Sequence, residues 1–237
     1  MVLLNVKKSI LLTLTVLFIG IQLSIAQSCS QFINAVNGKK MVYNNMDPKG
    51  NNVNQVSYTS TKKDASTVIV HSEMTDKRGQ PAGSGDSEIT CNGNAINVDM
   101  KSFIPPASAR QFNKMQIQAD GKYLMYPLDL KAGQALPDGS ADINVNSEGG
   151  SHFAEVLIDI TNRKVEQQET LNISPGDFDC FRITYDIAVK AKIMGIGIPV
   201  KMHVTEWFSP KLGRTIKTES YNKNGKLIST MQLASIN

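Results

Sequence analysis

The chain has 237 residues, of which 41% are hydrophobic and 19% are charged, and its formal net charge is +4. This length suits one large domain or two small ones, and the composition excludes a disordered chain, a collagen-like repeat and a disulfide-dense mini-protein. Lys and Arg form no long block, since Lys39-Lys40 and Lys62-Lys63 are isolated pairs, so an extended electrostatic footprint for nucleic acid is not expected.

The first 26 residues have the pattern of a secretory signal peptide. Lys7 and Lys8 precede an apolar run at 10–21, and the segment closes on the small residues Ser24 and Ala26. The run is shorter than the roughly 20 apolar residues that span a bilayer. We therefore expect export to the periplasm or beyond, cleavage after Ala26 and no transmembrane span.

Lipidation is the alternative outcome of export. It would occur at Cys29, but Ala26-Gln27-Ser28 places a bulky amide where bacterial lipoprotein signals have small residues. The sequence favours an unanchored mature chain, 27–237.

The chain has three cysteines, Cys29, Cys91 and Cys180. Export places them in an oxidising space, so we expect one disulfide and one free thiol. The favoured pair is Cys91 with Cys180, because both lie in strand-like segments whereas Cys29 lies near the new terminus. Their wide spacing does not suit a zinc site, whose ligands usually come in close pairs.

Alternation of apolar and polar residues predicts antiparallel strands over most of the chain. It is clearest at 181–194 and 200–208, two runs joined by a turn predicted at 195–197. On the first run, one face carries Ile183, Tyr185, Ile187, Val189, Ala191 and Ile193; on the return strand, the apolar face carries Val200, Met202, Val204 and Phe208.

Other hairpins are predicted wherever an Asp- or Asn-initiated turn containing Gly separates two such runs. The predicted turns are 47–50, 76–79, 93–94 and 222–225, and a further pair is expected at 152–160 and 164–173 around 161–163. One short helix is expected at 107–115, after Pro105-Pro106. An ordered loop is expected at 126–139.

The predicted fold is all-β, with residues 27–237 forming a single antiparallel domain. About ten to thirteen strands would strain an open sheet, so we expect it to curve. A half-barrel wrapping the short helix and a two-layer sandwich both fit this count.

Several short motifs occur in a characteristic order. They are ITCNG (89–93), VDM (98–100), YP (126–127), GQALPD (133–138), NRKVE (162–166), PGDFDC (175–180), EWF (206–208) and GRTIKTESYNKNGKL (213–227). Together they resemble the TapB-like family of exported Bacteroidetes proteins, related to uncharacterised bacterial envelope domains. The resemblance implies a periplasmic or surface β-protein and implies no catalytic residue.

No motif indicates a metal, a cofactor or catalysis. His71, His152 and His203 do not form a zinc-binding motif, and no G-x-S-x-G elbow is present. Residues 138–144 alternate oxygen-bearing side chains as a calcium loop does, but Ile143 occupies the position that requires Gly, so an exposed strand is expected there. We predict a protein that is not an enzyme and has no cofactor.

Two features bear on function. The tip at 194–200 is unusually apolar, which is typical of contact with a partner, a lipid or a ligand, or of a tip folded onto the core. Glu206 shares strand parity with Val204 and Phe208, so it faces the interior with a raised pKa, or else it lies at a strand end or pairs with a base across the sheet. The second reading is favoured.

The leading hypothesis is an envelope protein that binds a lipid or other hydrophobic small molecule in a curved sheet. Its candidate lining residues are Ile187, Val189, Ile193, Ile196, Val204, Glu206 and Trp207. The alternatives are an envelope protein-interaction or scaffold module, and a hydrolase whose site is assembled from distant residues.

Overall fold

The computed structural model describes residues 29–103, 116–121, 123–146, 152–193 and 196–237. The predicted signal peptide and the predicted helix at 107–115 lie outside these ranges. A helix, α1 (Cys29–Val36), precedes thirteen strands, and a short 3-10 helix (Met100–Phe103) follows the fifth. The strands are β1 (Lys40–Met46), β2 (Asn52–Lys62), β3 (Thr67–Asp76), β4 (Pro81–Cys91), β5 (Ala95–Val98), β6 (Gln116–Gly121), β7 (Leu124–Pro127), β8 (Gly139–Asn146), β9 (His152–Ile173), β10 (Gly176–Ile193), β11 (Ile196–Ser209), β12 (Arg214–Tyr221) and β13 (Leu227–Ile236).

All thirteen strands belong to one sheet in the order β6-β8-β9-β10-β11-β12-β13-β1-β2-β3-β4-β5-β7. It consists of two antiparallel meanders, β1–β5 and β8–β13, joined because β13 pairs with β1. The all-β prediction is confirmed, and the sheet curves into a nearly closed barrel rather than a sandwich.

The barrel nearly closes where the edge strand β7 and the loop after it approach β8 and β9. A Cβ added at Gly139, at the start of β8, would lie 2.8 Å from Leu124 Cδ1 of β7, so any side chain there would have to displace that of Leu124. Ala135, in the loop after β7, bridges Lys164 of β9. These contacts bring the apolar faces of both meanders around one interior.

The hairpins predicted around 47–50, 76–79, 93–94 and 222–225 all form. The turn predicted at 195–197 is shifted, because Ile196 already pairs with Ile193 as the first residue of β11. The loop predicted at 126–139 begins inside a strand, because residues 126 and 127 pair as the end of β7.

The pair predicted around 161–163 is wrong. Residues 152–173 are one continuous strand that pairs along β10. Asn162 takes a left-handed conformation, with φ of 58°, and the register against β10 shifts between Thr184 and Asp186. An Asn in this conformation forms a bulge as readily as a turn, so the local sequence does not distinguish the two.

The described helix α1 was not predicted. Its eight residues bury Phe32, Ile33 and Val36 on one face, and Phe32 and Ile33 are fully buried. An isolated helix of this length is unstable in water, so tertiary contacts must hold it. It packs into the main apolar core with residues from both meanders, including Val70, Ile160 and Phe208. None of the helices that the structure describes is long and apolar enough to cross a membrane.

The disulfide prediction is corrected. Cys29 pairs with Cys91, with a Cα–Cα distance of 5.5 Å, and Cys180 is a buried free cysteine. The prediction failed because α1 carries Cys29 back from the terminus to the end of β4. Cys180 instead packs in a second apolar cluster with Met41, Leu212 and other residues.

Candidate functional site

A pocket of about 250 Å³ opens into the interior of the barrel. We call it the interior pocket. Its lining comes from both meanders: Tyr43, Tyr58, Val98, Ser102, Phe103, Tyr126, Tyr185, Ile187, Val204, Glu206, Phe208, Gly213, Arg214, Thr215, Thr218, Ser220 and Met231. Apolar side chains and four tyrosine rings therefore surround two charged residues.

Glu206 forms one polar end of this pocket. Its side chain is 1% exposed, and both of its carboxyl oxygens accept hydrogen bonds from the Tyr126 hydroxyl, at 3.1 and 3.2 Å. The Thr215 hydroxyl donates to Oε1, and the Tyr185 hydroxyl also hydrogen-bonds the carboxyl group. A buried carboxylate with several donors is internally satisfied and does not need a ligand for its charge.

Burial raises the pKa of Glu206 above its ordinary value of 4.5, although the hydrogen bond from Thr215 and the charge of Arg163 act in the opposite direction. Of the two readings of Glu206, interior burial is the one that the structure shows. The favoured reading, a strand end or a base across the sheet, is wrong, because Glu206 is paired within β11 on its inward face and its cross-strand neighbours are Ile183 and Thr218.

Tyr126 is held between two planar groups. Its ring stacks on Phe208, with centroids 4.2 Å apart, and the Arg163 guanidinium lies over the ring with its carbon 4.8 Å from the ring centre. Arg163 is only 2% exposed, and its Nη1 donates to the carbonyls of Met125 and Pro137, at 2.9 and 2.7 Å. This stack fixes β7 against β9 and β11, and so fixes the wall of the pocket.

Arg214 forms the second polar end. Its guanidinium carbon lies 5.2 Å from the ring centre of Tyr58, and Tyr58 packs edge-on against Tyr43. The Tyr43 hydroxyl donates to the Thr215 carbonyl at 2.8 Å, not to Arg214. The Nη2 of Arg214 is buried and has no hydrogen-bond partner among the described residues.

Two phenols of the pocket and the nearby Cys180 thiol favour their neutral forms. Burial raises the pKa of Tyr126 and Tyr185 well above 10, and the adjacent Glu206 charge adds to this effect. Burial also raises the pKa of the Cys180 thiol to about 12. These phenols donate hydrogen bonds rather than act as bases, and the Cys180 thiol is poorly nucleophilic.

The structure brings together three of the seven predicted lining residues. Ile187, Val204 and Glu206 line the interior pocket. Val189 is half-buried and packs against the main core without lining the pocket. The side chains of Ile193 and Ile196 lie outside what the structure describes.

Trp207 lies on the opposite side of the sheet from the pocket. It pairs with Arg182, its Nε1 donates to Glu169 at 2.7 Å, and the ammonium of Lys217 lies 4.9 Å from its ring centre. Its assignment to the concave lining is wrong because odd and even positions of β11 face opposite ways.

In the predicted apolar tip, Met194 and Gly195 lie outside the described residues, and Val200 is 44% exposed.

The sequence pattern missed the tyrosines and both arginines of the site. Tyr185 lay on the predicted apolar face of β10, and Tyr43 alternates with Met41, so parity could have identified them. Arg163 and Arg214 carried no such signal. Arg163 lies beside the bulge at Asn162, where the sequence predicts a turn, and Arg214 follows Gly213 at the start of β12.

The remaining polar motifs can be placed where the structure describes them. Residues 139–146 form strand β8, as a strand was expected there, but Ala141 and Ile143 are buried, so it is half-buried rather than exposed. His71 contacts Asp86 at 2.7 Å and His203 contacts Asp186 at 3.0 Å, both on exposed surface. Within the described ranges, no three His, Cys, Asp or Glu side chains are grouped to hold a metal ion.

The raised pKa of Glu206 predicts a specific pH dependence. The folded protein keeps this proton to higher pH than the unfolded chain, whose carboxyl titrates near 4.5. Stability contributed by this group therefore falls as pH rises from 4.5 to the folded pKa, by at most about 1.4 kcal/mol per pH unit. Glu206→Gln has no carboxyl group at this position and therefore lacks this pH dependence. The difference in free energy of unfolding, wild type minus Glu206→Gln, should therefore decrease as pH rises from 4.5 to the folded pKa, which urea unfolding at a series of pH values from 4 upward measures.

Glu219→Gln is the matched control. Hydrogen bonds from Lys217 and Tyr221 outweigh desolvation and lower the pKa of Glu219, so its contribution has the opposite sign and is lost as pH falls. If the difference in free energy of unfolding between wild type and Glu206→Gln stayed constant or increased with pH, Glu206 would be ionised in the folded protein without a free-energy penalty from burial.

Comparison with known proteins gives the chain a family. The DUF3108-like family model matches residues 36–233, which include every strand that lines the interior pocket except the last residues of β13. No curated protein matches the chain significantly. The TapB-like name is not what this comparison returns.

Solved structures show the same fold. One is a Bacteroides fragilis protein described as exported and as having a YmcC-like fold, with a TM-score of 0.66 and 20% identity over 85% of this chain and 96% of that one. Another is described as a lipoprotein of Parabacteroides distasonis, with a TM-score of 0.68 and 21% identity over 85% of this chain and 95% of that one. At this identity the likeness establishes the fold alone.

Proposed function

We propose that this chain, which belongs to the DUF3108-like family, is an exported, non-enzymatic envelope protein that binds a small hydrophobic molecule in its interior pocket. The observation that carries the proposal is the pocket itself, an opening of about 250 Å³ lined by aromatic and aliphatic side chains inside the barrel. Mostly apolar concavities with a few placed polar groups are the usual form of small-molecule sites.

Export is supported by the amino-terminal signal pattern and by the descriptions of the two similar structures as an exported protein and a lipoprotein. The Cys29–Cys91 disulfide bears on anchoring, because lipidation of Cys29 would require the same sulfur atom. We propose that the disulfide-bonded protein carries no lipid at Cys29. Its presence also fits an oxidising compartment.

The pocket is too small for a whole phospholipid. At roughly 30 Å³ for each water-sized group, it holds a ligand on the order of eight to ten non-hydrogen atoms. Ligand sites usually begin near about 300 Å³, so this one is at the small end of the range. A medium-length alkyl chain or a single substituted ring fits.

A binding role is favoured over catalysis by the protonation of the groups at the site. Tyr126 and Tyr185 are committed as donors to Glu206, whose oxygens accept from these phenols and from Thr215. A general base needs a free lone pair within reach of the proton that it removes. Glu206 instead holds the β7, β10, β11 and β12 walls of the pocket together.

Filling the pocket tests the proposal. Thr218 lines the pocket from β12 and is paired with Glu206, whereas Thr205 of β11 is paired with Glu219 on the outer face. Thr218→Phe should weaken binding of a medium-chain probe such as octanoate at least about tenfold, since the ring would occupy the ligand volume. Thr205→Phe places the same ring outside and should leave binding unchanged in isothermal titration.

Native mass spectrometry of protein purified without detergent provides a second measurement. Bound small molecules should be detected in the wild-type protein and the Thr205→Phe variant and be lost in Thr218→Phe. A ligand-free wild-type spectrum, together with no uptake of added octanoate or octanol, would overturn the proposed function.

A further inference from the structure

The interior pocket contains a cation whose charge the described residues leave unpaired. The closest ring to the Arg214 guanidinium is that of Tyr58, and Tyr43 lies beside Tyr58. None of the salt bridges found among the described residues includes Arg214. Its Nη2 is buried without a hydrogen-bond partner.

Such an arrangement is costly unless something supplies an acceptor. A buried charged donor that lacks a partner loses its hydration without compensation. The cation–π contact with Tyr58 stabilises the charge but accepts no hydrogen bond from Nη2. Arg214 as a whole is only half-buried and lines the pocket, so a ligand anion there would pair with the part of the guanidinium that faces the pocket and offset this cost.

Glu206 does not serve as that acceptor. Its oxygens are occupied by hydroxyl donors from Tyr126, Tyr185 and Thr215, and no ion pair joins it to Arg214. The Tyr43 hydroxyl is likewise turned to the Thr215 carbonyl. The polar groups of the pocket are therefore satisfied at the Glu206 end and unsatisfied at the Arg214 end.

We propose that the ligand of the interior pocket is a monoanionic amphipathic molecule, a medium-chain carboxylate, whose carboxylate is held by Arg214 and whose apolar part lies against Tyr58, Val204 and Met231. This inference rests on the proposed function and names its ligand class. The two oxygens of a carboxylate match the paired N–H donors of a guanidinium group, and the single positive charge of Arg214 neutralises one negative charge. The pocket volume sets the length of the apolar part at about that of octanoate.

The matched probes are octanoate and 1-octanol, which share an eight-carbon chain and differ in the charge of the head. In isothermal titration, the wild-type protein should bind octanoate about tenfold to a hundredfold more tightly than octanol, as expected of a charge-assisted hydrogen bond. Arg214→Met should reduce this ratio to near one. Arg214→Lys keeps a cation without the fork and should retain part of the preference.

Lys217→Met is the control variant. Lys217 lies on the same strand as Arg214, but its ammonium contacts Trp207 and Glu219. Its removal lowers the net charge by the same amount and should leave the octanoate preference intact. Circular dichroism and urea unfolding of each variant confirm that the proteins compared are folded.

The outcomes separate the two proposals. One outcome is that octanoate and octanol bind the wild-type protein with equal affinity and that Thr218→Phe blocks both. The interior pocket would then bind hydrophobic ligands without selection of anions by Arg214, and the inference would be overturned. The same holds if folded Arg214→Met and Arg214→Lys both keep the full preference. If neither probe binds the wild-type protein, the proposed function fails with it.

Discussion

Replacing Gly213 with alanine is expected to lower the free energy of unfolding by about 2–5 kcal/mol. Gly213 has a φ of +55°, which costs a residue with a side chain about 1–2 kcal/mol. A Cβ at this position would also overlap Cε2 of Phe32 and lie 2.7 and 2.8 Å from its Cδ2 and Cζ. Phe32 is fully buried in the main core, so its ring cannot move aside without disturbing its neighbours, and overpacking of this kind costs about 1–3 kcal/mol.

Gly225→Ala is the control for the backbone contribution. Gly225 has a similar φ of +71°, but nothing lies within 4 Å of the Cβ that would be added there. We expect it to cost only about 1–2 kcal/mol in urea unfolding followed by circular dichroism. Equal losses for the two variants would mean that the close approach of Phe32 to Gly213 does not limit stability.

The hairpin architecture could be predicted because it depends on local rules. Alternation places Ile183 and Tyr185 on one face, and an Asp or Asn followed by Gly defines each short turn. The limits of this reasoning appear at Asn162. Its left-handed conformation bends β9 without ending it, and only the partner strand determines whether such a residue forms a turn or a bulge.

The long-range features could not be predicted for a different reason. The Cys29–Cys91 disulfide depends on α1 returning to the end of β4, and α1 is too short to be recognised by periodicity. Glu206 was identified from strand parity alone. Its partner Thr215, 9 positions away, lies on the adjacent paired strand β12, whereas Tyr126, 80 positions away on β7, meets it only because the sheet closes. Strand parity predicts on which face of the sheet a side chain lies, whereas the closure of the barrel determines which residues of distant strands it contacts.

Arg163 illustrates how this closure is stabilised. Its guanidinium reaches from β9 to the Met125 carbonyl of β7 and to the Pro137 carbonyl of the loop before β8. Its Nε and Nη2 have no hydrogen-bond partner among the described residues, so the buried charge is only partly compensated by these bonds and by the Tyr126 ring. The net contribution of Arg163 to the free energy of unfolding is therefore the gain from its two hydrogen bonds less the cost of burying a charge that is only partly paired.

We expect Arg163→Ala to lower the free energy of unfolding by about 3–5 kcal/mol. The substitution leaves two carbonyl groups without their donor, at about 1–3 kcal/mol for each that stays buried, and opens a cavity against Tyr126. Arg163→Met fills much of that cavity but supplies no donor, so its cost should be smaller and still at least about 2 kcal/mol. Urea unfolding monitored by circular dichroism measures both variants.

Arg182→Ala is the matched control, because Arg182 lies on the neighbouring strand β10 on the outer face, opposite Trp207, and is only half-buried. A partly exposed arginine of this kind should cost less than about 1 kcal/mol. If Arg163→Met were as stable as the wild-type protein, the hydrogen bonds from Nη1 would do no more than offset the desolvation of the charge. Apolar packing between β7 and β9 would then be what holds the two ends of the sheet together, and the position of Tyr126 over the pocket would not depend on a buried cation.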